Sequence, residues 1–247
     1  MSVAIMKTPR RQAMNYVYPR ENSPEIPLLE NGDHIAREEF ERRYHAMPSV
    51  KKAELIQGIV YMPSPVRMSH SDSHAKIITW LGNYWAVTPG IGLHDNGTVR
   101  IDEENEPQPD AALRIKQHAL GKSWVSKDDY IEGAPELIVE IAGSSASFDL
   151  FEKFEVYQQH GVQEYLVWQI YDHRLDWFEL REGQYVPLQP DADGIIRSQV
   201  FPGLYLAVEA LLSGDLAQVL TVVQQGLQSE GHRLFVQRLQ SGEGGAK

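Results

Sequence analysis

The chain alternates between segments whose apolar residues recur three or four positions apart and segments whose apolar residues recur at every second position. The first spacing predicts amphipathic helices, and the second predicts strands. Helices are predicted within 37–47, 64–87 and 148–162. Strands are predicted within 53–62, 98–115, 135–142, 164–171, 174–180 and 182–189. A turn, a short strand and further helical segments follow in 193–228.

The pattern also predicts which side chains of two helices face inward. In the helix within 64–87 they are Ile77, Leu81, Tyr84 and Trp85. In the helix within 148–162 they are Phe151, Phe154 and Tyr157. The second helix is expected to start at a Ser cap and to close at Gly161.

Strands and helices in alternation, without an internal repeat, predict one α/β domain built on a central mixed β-sheet flanked by helices. Residues 1–33 are rich in Pro, Asn and charge and are expected to form a tail or an arm. The domain itself is expected to span 34–210. Residues 211–247 would add a C-terminal helical segment.

The composition narrows the functional classes. A hydrophobic share of 42% is enough for a sizeable core, and the absence of cysteine excludes disulfides, thiolate metal sites and cysteine nucleophiles. No signal-peptide-like or membrane-spanning apolar run occurs, so we expect a cytoplasmic protein that does not enter membranes. The net charge of −11 weighs against a protein that coats nucleic acid, but it is compatible with a nuclease whose metal ions attract phosphate.

The most apolar strand, 135–142, carries one carboxylate. Because side chains alternate along a strand, Glu140 shares a face with Ile138 and Ala142, where an unpaired charge is costly. Asp110 stands at the start of another predicted strand. If the two strands are neighbours, Asp110 and Glu140 can converge on one divalent metal ion. The alternative for Glu140 alone is a strand-end acid that touches solvent or a backbone donor.

Lys153 allows two interpretations. It lies four residues after Asp149, which is the spacing of an exposed ion pair on a helix surface, and for the pair alone this interpretation is favoured. Otherwise the helix directs Lys153 back to the two acids, where its charge would stabilise a phosphoryl transition state or orient a water molecule.

A second candidate metal site lies in 70–74. His70 and His74 are four residues apart, the spacing of two zinc ligands on a helix, but Ser71 stands where zinc proteases carry their glutamate base. A surface or helix-start role is therefore favoured for both histidines, and a zinc hydrolase remains only a third possibility.

Three stretches together resemble the Uma-two family of restriction-endonuclease-like proteins, a branch of the PD-(D/E)XK nuclease superfamily. They are "AELIQGIVYMPSPV", the "PD" at 109–110, and "PELIVEIAGSSASFDLFEKFEVYQQHGVQEYLVW". The likeness runs from about Phe40 to 201–204 and the helices beyond. It implies a restriction-endonuclease-like core with a metal site at one end of the sheet.

The resemblance also implies roles for four residues. Asp110 and Glu140 match the two acids that bind metal, and Glu54 matches a further acid near that site. The superfamily commonly places a lysine two residues after the second acid, where this chain has Ala142. Lys153 resembles the lysine of variants in which that residue has moved to the next helix.

Together with these residues, the resemblance implies a Mg²⁺- or Mn²⁺-dependent endonuclease that cleaves DNA and acts as a homodimer, since cutting two strands needs two sites. The alternative is a catalytically inactive protein that kept the nuclease fold as a binding or assembly module. The acidic surface and the displaced lysine are the features that support this alternative.

Overall fold

The computed structural model describes residues 26–62, 65–143 and 150–242. Its helices are α1 (Arg37–His45), α2 (Met68–Ala86), α3 (Glu152–Gln159), α4 (Val208–Ser213), α5 (Leu216–Leu227) and α6 (Glu230–Ser241), with a 3₁₀ turn at Gln117–Ala119. Its first strands are β1 (Glu54–Ile56), β2 (Ile59–Tyr61), β3 (Ile91–Asp95), β4 (Val99–Arg100), β5 (Ala111–Ile115), β6 (Trp124–Val125) and β7 (Ile131–Glu132). The others are β8 (Leu137–Ala142), β9 (Glu164–Gln169), β10 (Arg174–Arg181), β11 (Gln184–Pro187), β12 (Ile195–Arg197) and β13 (Tyr205–Ala207).

Six strands form the central sheet, in the order β11-β10-β9-β8-β5-β3. β8 and β9 are parallel, and every other neighbouring pair is antiparallel, so the predicted mixed sheet is confirmed. The helix α3 provides the crossover that two parallel neighbours require. The remaining strands form the hairpin β1-β2, the pair β12-β13 and the small sheet β4-β7-β6.

Both faces of the central sheet are covered, as the continuous apolar run of β8 requires. One face of β8 packs against α2 and the C-terminal helices, in a core that includes Val139, Trp80 and Val223. The other face packs against α3 and β1, in a core that includes Ile138 and Tyr157. The predicted helical flanks and the C-terminal helical segment are both confirmed.

Two predicted inner faces are partly wrong. Trp85 is 47% exposed and Trp80 is buried, because the buried stripe of α2 runs through 77, 80, 81 and 84, and the next position turns towards solvent. In the second helix Phe151 is 67% exposed, and the buried residues are Lys153, Val156 and Tyr157. Gly161 follows the helix with a φ of +80°, as expected, whereas the predicted Ser cap lies outside the described residues.

The domain boundaries remain predictions. Part of the proposed N-terminal tail lies beside β2, where the backbone amide of Gly32 donates to the Val60 carbonyl and that of Val60 donates to the Asp33 carbonyl. Leu29 is buried there. No helix in the described ranges has the length and apolar character needed to cross a bilayer.

The C-terminal helices reach the core through a close backbone contact. Gly226 of α5 faces Gly203, and a Cβ on Gly226 would lie 2.1 Å from the Gly203 carbonyl oxygen. Gly203 has a φ of +91°, a conformation that favours glycine. Neither residue can gain a side chain unless backbone moves.

We expect Gly226→Ala to lower the free energy of unfolding by about 2 kcal/mol or more, although alanine is the better helix former by about 1 kcal/mol. Urea unfolding followed by circular dichroism measures the change. Gly231→Ala is the matched control, because a Cβ there meets nothing closer than 3.7 Å. A Gly226→Ala variant as stable as the control would contradict the contact.

A buried carboxylate fastens the loop between β12 and β13 to the sheet. Glu164 accepts hydrogen bonds from the Ser198 hydroxyl at 2.8 Å and from the amides of Gln199 and Val200 at 2.6 and 3.1 Å. Burial is the largest influence on this group and raises the pKa of Glu164 from its ordinary value near 4.5 to about 7, against the three donors.

This shift predicts a stability loss on alkalinisation. Between about pH 4.5 and 7 the folded chain holds a proton on Glu164 that the unfolded chain has lost, so stability falls as pH rises through that window. As pH rises from about 4.5 to 7, the free energy of unfolding of Glu164→Gln should increase by about 3 kcal/mol relative to that of the unmodified protein. Denaturant titrations at several pH values measure this. Glu182→Gln, on an exposed turn, should parallel the unmodified protein, and a Glu164→Gln profile that also did so would refute the assignment.

Candidate functional site

The two acids of the predicted metal site lie on adjacent strands. β5 and β8 are antiparallel, with Ala111 opposite Val139. Extending this register by one residue puts Asp110 opposite Glu140, and residues directly opposite each other share a face of the sheet. Both side chains are buried, with relative exposures of 4% and 3%. Neighbouring strands therefore bring two distant carboxylates to one place.

Asp110 is held from both sides of the sheet edge. Its Oδ2 accepts a hydrogen bond of 2.7 Å from the Ile141 amide and lies 3.3 Å from Nε2 of His70, on α2. Burial alone would raise the pKa of Asp110, but the His70 hydrogen bond, the charge of Lys52 and the Ile141 amide outweigh it and lower the pKa. Asp110 is thus kept as a carboxylate.

Lys153 lies between two carboxylates. Its Nζ is 2.9 Å from Oε1 of Glu140 and 2.9 Å from Oε1 of Glu54. Only 2% of Lys153 is exposed, so its interpretation as a surface partner of Asp149 is wrong. Asp149 itself lies outside the described residues. The structure therefore brings Glu54, Glu140 and Lys153 into direct contact, with Asp110 opposite Glu140.

Local sequence explains how α3 delivers the amine. Lys153 and Tyr157 are four residues apart, so they lie one turn apart on the same face of the helix. The Tyr157 hydroxyl donates to Oε1 of Glu140 at 2.9 Å, on the oxygen that Lys153 also contacts. Tyr157 is fully buried. One helical face thus supplies two donors to one carboxylate oxygen.

Glu54 connects the hairpin to the strand that carries Asp110. It opens β1, and its Oε1 accepts a 2.7 Å hydrogen bond from the amide of Gln108, two residues before Asp110. The same oxygen contacts Lys153. The Glu54 carboxylate therefore holds these segments together, whether or not it also takes part in chemistry.

The charge balance of this cluster fits a divalent cation. The buried carboxylates of Glu54 and Glu140 contact the ammonium group of Lys153, and the buried carboxylate of Asp110, opposite Glu140, contacts His70. Buried charges need compensation. Carboxylate oxygens are the ligands that Mg²⁺ and Mn²⁺ prefer. No group of three or more His, Asp or Glu side chains within the described ranges is arranged to hold a metal ion. A cation here would thus be held by Asp110 and Glu140 and complete its shell with water or substrate oxygens.

The two histidines of α2 face different acceptors. Nε2 of His74 lies 2.8 Å from the carbonyl oxygen of Asp110 and 3.2 Å from Oδ1 of Asp95, whereas Nε2 of His70 faces the Asp110 carboxylate. Their ring centroids are 6.3 Å apart. The two histidines therefore contact Asp110, and their geometry does not support a shared zinc ion.

The sequence does not assign two members of this cluster to it. The apolar pattern predicts Tyr157 only as part of the inner face of its helix, although its spacing of four from Lys153 signals a shared target. For His70 nothing local indicates its partner, because Asp110 is forty residues further along the chain.

A mixed sheet between helices, with buried acids at the end of two central strands, defines a restriction-endonuclease-like fold. A crystal structure of a "putative nuclease belonging to DUF820" from Anabaena variabilis shares this fold, with a TM-score of 0.56 and 13% identity over 70% of this chain and 96% of that one. The family model Uma2, described as "Putative restriction endonuclease", matches residues 37–209. The chain belongs to the Uma2 family, which indicates a nuclease. A search of curated proteins gives no match.

We expect Lys153→Met to lower the free energy of unfolding by about 3 kcal/mol or more, because it leaves two buried carboxylates without their cation. Thermal and urea unfolding measure the loss. Lys51→Met removes an exposed lysine near the same hairpin and should change stability by less than about 0.5 kcal/mol. If the two substitutions had equal effects on stability, Lys153 would contribute no more than an exposed lysine, and its role in compensating two buried carboxylates would be wrong.

Proposed function

We propose that the chain is a metal-dependent endonuclease that hydrolyses phosphodiester bonds of DNA with Mg²⁺ or Mn²⁺. The observation that carries the proposal is the buried contact of Lys153 with Glu54 and Glu140, with Asp110 opposite Glu140 on the neighbouring strand. A purely structural core has little use for three buried acids where the hairpin β1-β2 meets the central sheet, since each costs desolvation free energy. Membership of the Uma2 family favours nucleic acid as the substrate.

Each residue has a role that follows from its contacts. Asp110 and Glu140 would hold the cation, which when bound polarises a phosphate oxygen and makes a water molecule more acidic. Lys153 places a positive charge at the developing phosphoryl charge. Glu54 anchors Lys153 and the segment before Asp110, and is available to assist the water. Tyr157 fixes the orientation of Glu140.

Two wider features belong to the same proposal. A homodimer with two-fold symmetry would supply two sites for the two strands of a duplex. We place the protein in the cytoplasm, where DNA and millimolar magnesium are available. The rival function, a non-catalytic module, draws support from the ion pairs that Lys153 already makes and from the net charge of −11.

Purified protein should cleave DNA when Mg²⁺ or Mn²⁺ is added, and Asp110→Asn or Glu140→Gln should lower the rate at least a hundredfold, since each removes a charge that would hold the cation. Gel assays measure cleavage, and calorimetric titration with Mn²⁺ measures metal binding. Glu209→Gln, on the exposed side of α4, is the matched control and should cut normally.

The variants also separate the two functions. Circular dichroism should show Asp110→Asn and Glu140→Gln folded like the unmodified protein. If the unmodified protein binds no Mn²⁺ at millimolar concentration and cuts nothing, the binding module is the correct function. If it cuts and the two variants cut equally well, the site lies elsewhere.

A further inference from the structure

An exposed aromatic residue stands at the sheet edge that carries the candidate site. β8 and β9 are parallel, with Ala142 opposite Gln169, so both strands end at the same edge. Glu140 is near the end of β8, and Tyr171 comes two residues after the end of β9. Tyr171 is 53% exposed. A large aromatic surface therefore faces solvent close to the buried acids.

Tyr171 lies between the end of β8 and the start of α2. A Cβ built on Gly143 would lie 3.6 Å from Cε2 of Tyr171, so the ring is beside the residue that follows β8. Ser69 and Arg67, at the start of α2, are near enough to the phenol to lower the pKa of Tyr171. Ser69 directly precedes His70, which contacts Asp110. The residues on the two sides of the ring are thus close in sequence to Glu140 and to the histidine that contacts Asp110.

A positive charge lies at the same place. Arg67 is exposed at the start of α2, near Tyr171, and it forms no ion pair with a carboxylate of the described residues. On a chain with a net charge of −11, a guanidinium group kept beside an acidic site indicates an anionic ligand.

The surface around Arg67 is also apolar. Val66 and Met68, which flank Arg67, are 71% and 85% exposed. Aromatic and apolar surface interleaved with cations is the composition of sites that hold an unpaired nucleic-acid strand, where bases stack on rings and phosphates meet basic side chains.

We infer that this surface, formed by Arg67, Tyr171 and the neighbouring apolar side chains, binds an unpaired stretch of DNA next to the bond to be cut. A base stacks on Tyr171, and Arg67 contacts the adjoining phosphate. Inside a duplex the faces of the bases are covered by their neighbours, so a base of a duplex reaches Tyr171 only where the strands separate next to the bond to be cut, and a single strand binds more tightly. The inference rests on the proposed function, because it names the substrate form of the same site.

Binding can be measured without cleavage. Fluorescence anisotropy of a labelled oligothymidylate, with EDTA present, reports affinity whether or not the protein is catalytic. Tyr171→Ala should weaken binding by about fivefold or more, the loss of one stacked base, while Tyr171→Phe should bind like the unmodified protein. Trp85→Ala, which removes a similarly exposed ring at the far end of α2, should leave affinity unchanged. A blunt duplex should bind more weakly than the single strand.

Salt dependence tests the role of Arg67 separately. Removing one phosphate contact should reduce the slope of log affinity against log salt by about 0.7 for a single strand, so Arg67→Gln should show this reduction. Tyr171→Ala should keep the original slope. Arg233→Gln makes the same change in net charge on α6, and its slope should also be unchanged.

Three results would overturn the inference: equal binding by Tyr171→Ala, a preference for blunt duplex, or a change in oligomeric state of Tyr171→Ala at unchanged DNA affinity, which would make the surface a contact between copies. The proposed function fails differently. If the protein binds the single strand through Tyr171 but cuts nothing with Mg²⁺ or Mn²⁺, the binding inference stands and the proposed nuclease function is wrong.

Discussion

The ammonium group of Lys153 is the centre on which this arrangement depends. It joins Glu54 of the hairpin to Glu140 of the central sheet from a third element, α3. One carboxylate would offset only part of the desolvation cost of a buried amine, and Lys153 has two. The hydrogen bonds from Tyr157 and from the Gln108 amide in turn stabilise those two carboxylates. Three segments that are distant in sequence are therefore held in one register by a single charge.

The same chemistry explains how an acidic chain can approach a polyanion. Most of its excess negative charge is spread over the surface, but at the candidate site the carboxylates are buried and concentrated. Surface charge repels polyanions at long range, whereas buried carboxylates attract cations. Arg67 is exposed at the start of α2, the helix whose His70 contacts Asp110. On the proposed function, attraction for nucleic acid would thus be local, although the global charge balance opposes it.

Long periodic segments could be predicted from the sequence, and contacts between segments could not. The hairpin, α2, β8 and β9 follow apolar patterns that local physics determines, and the structure confirms them. β3 was missed because Gly90 and Gly92 interrupt its pattern, and β6 and β7 have only two residues each. Lys153 shows the limit most clearly. Its spacing with Val156 and Tyr157 puts Lys153 on the buried face of the helix, but a charged residue on a helix is usually on the surface. Only its contact with Glu54 of β1 reverses that expectation.

The position of Ala142 has a mechanical consequence. Where related nucleases commonly carry a lysine on the strand, this chain has a small apolar residue in the core cluster that also holds Val156 and Tyr165, and the amine comes from α3 instead. Acids and amine therefore belong to different rigid pieces, a sheet and a helix. A slide of the helix by a fraction of a turn would withdraw the ammonium while both strand acids stayed in place. On the proposed function, such a slide would silence the polypeptide while the two acids kept their places, a form of control that is closed to a chain whose lysine and acid share one strand.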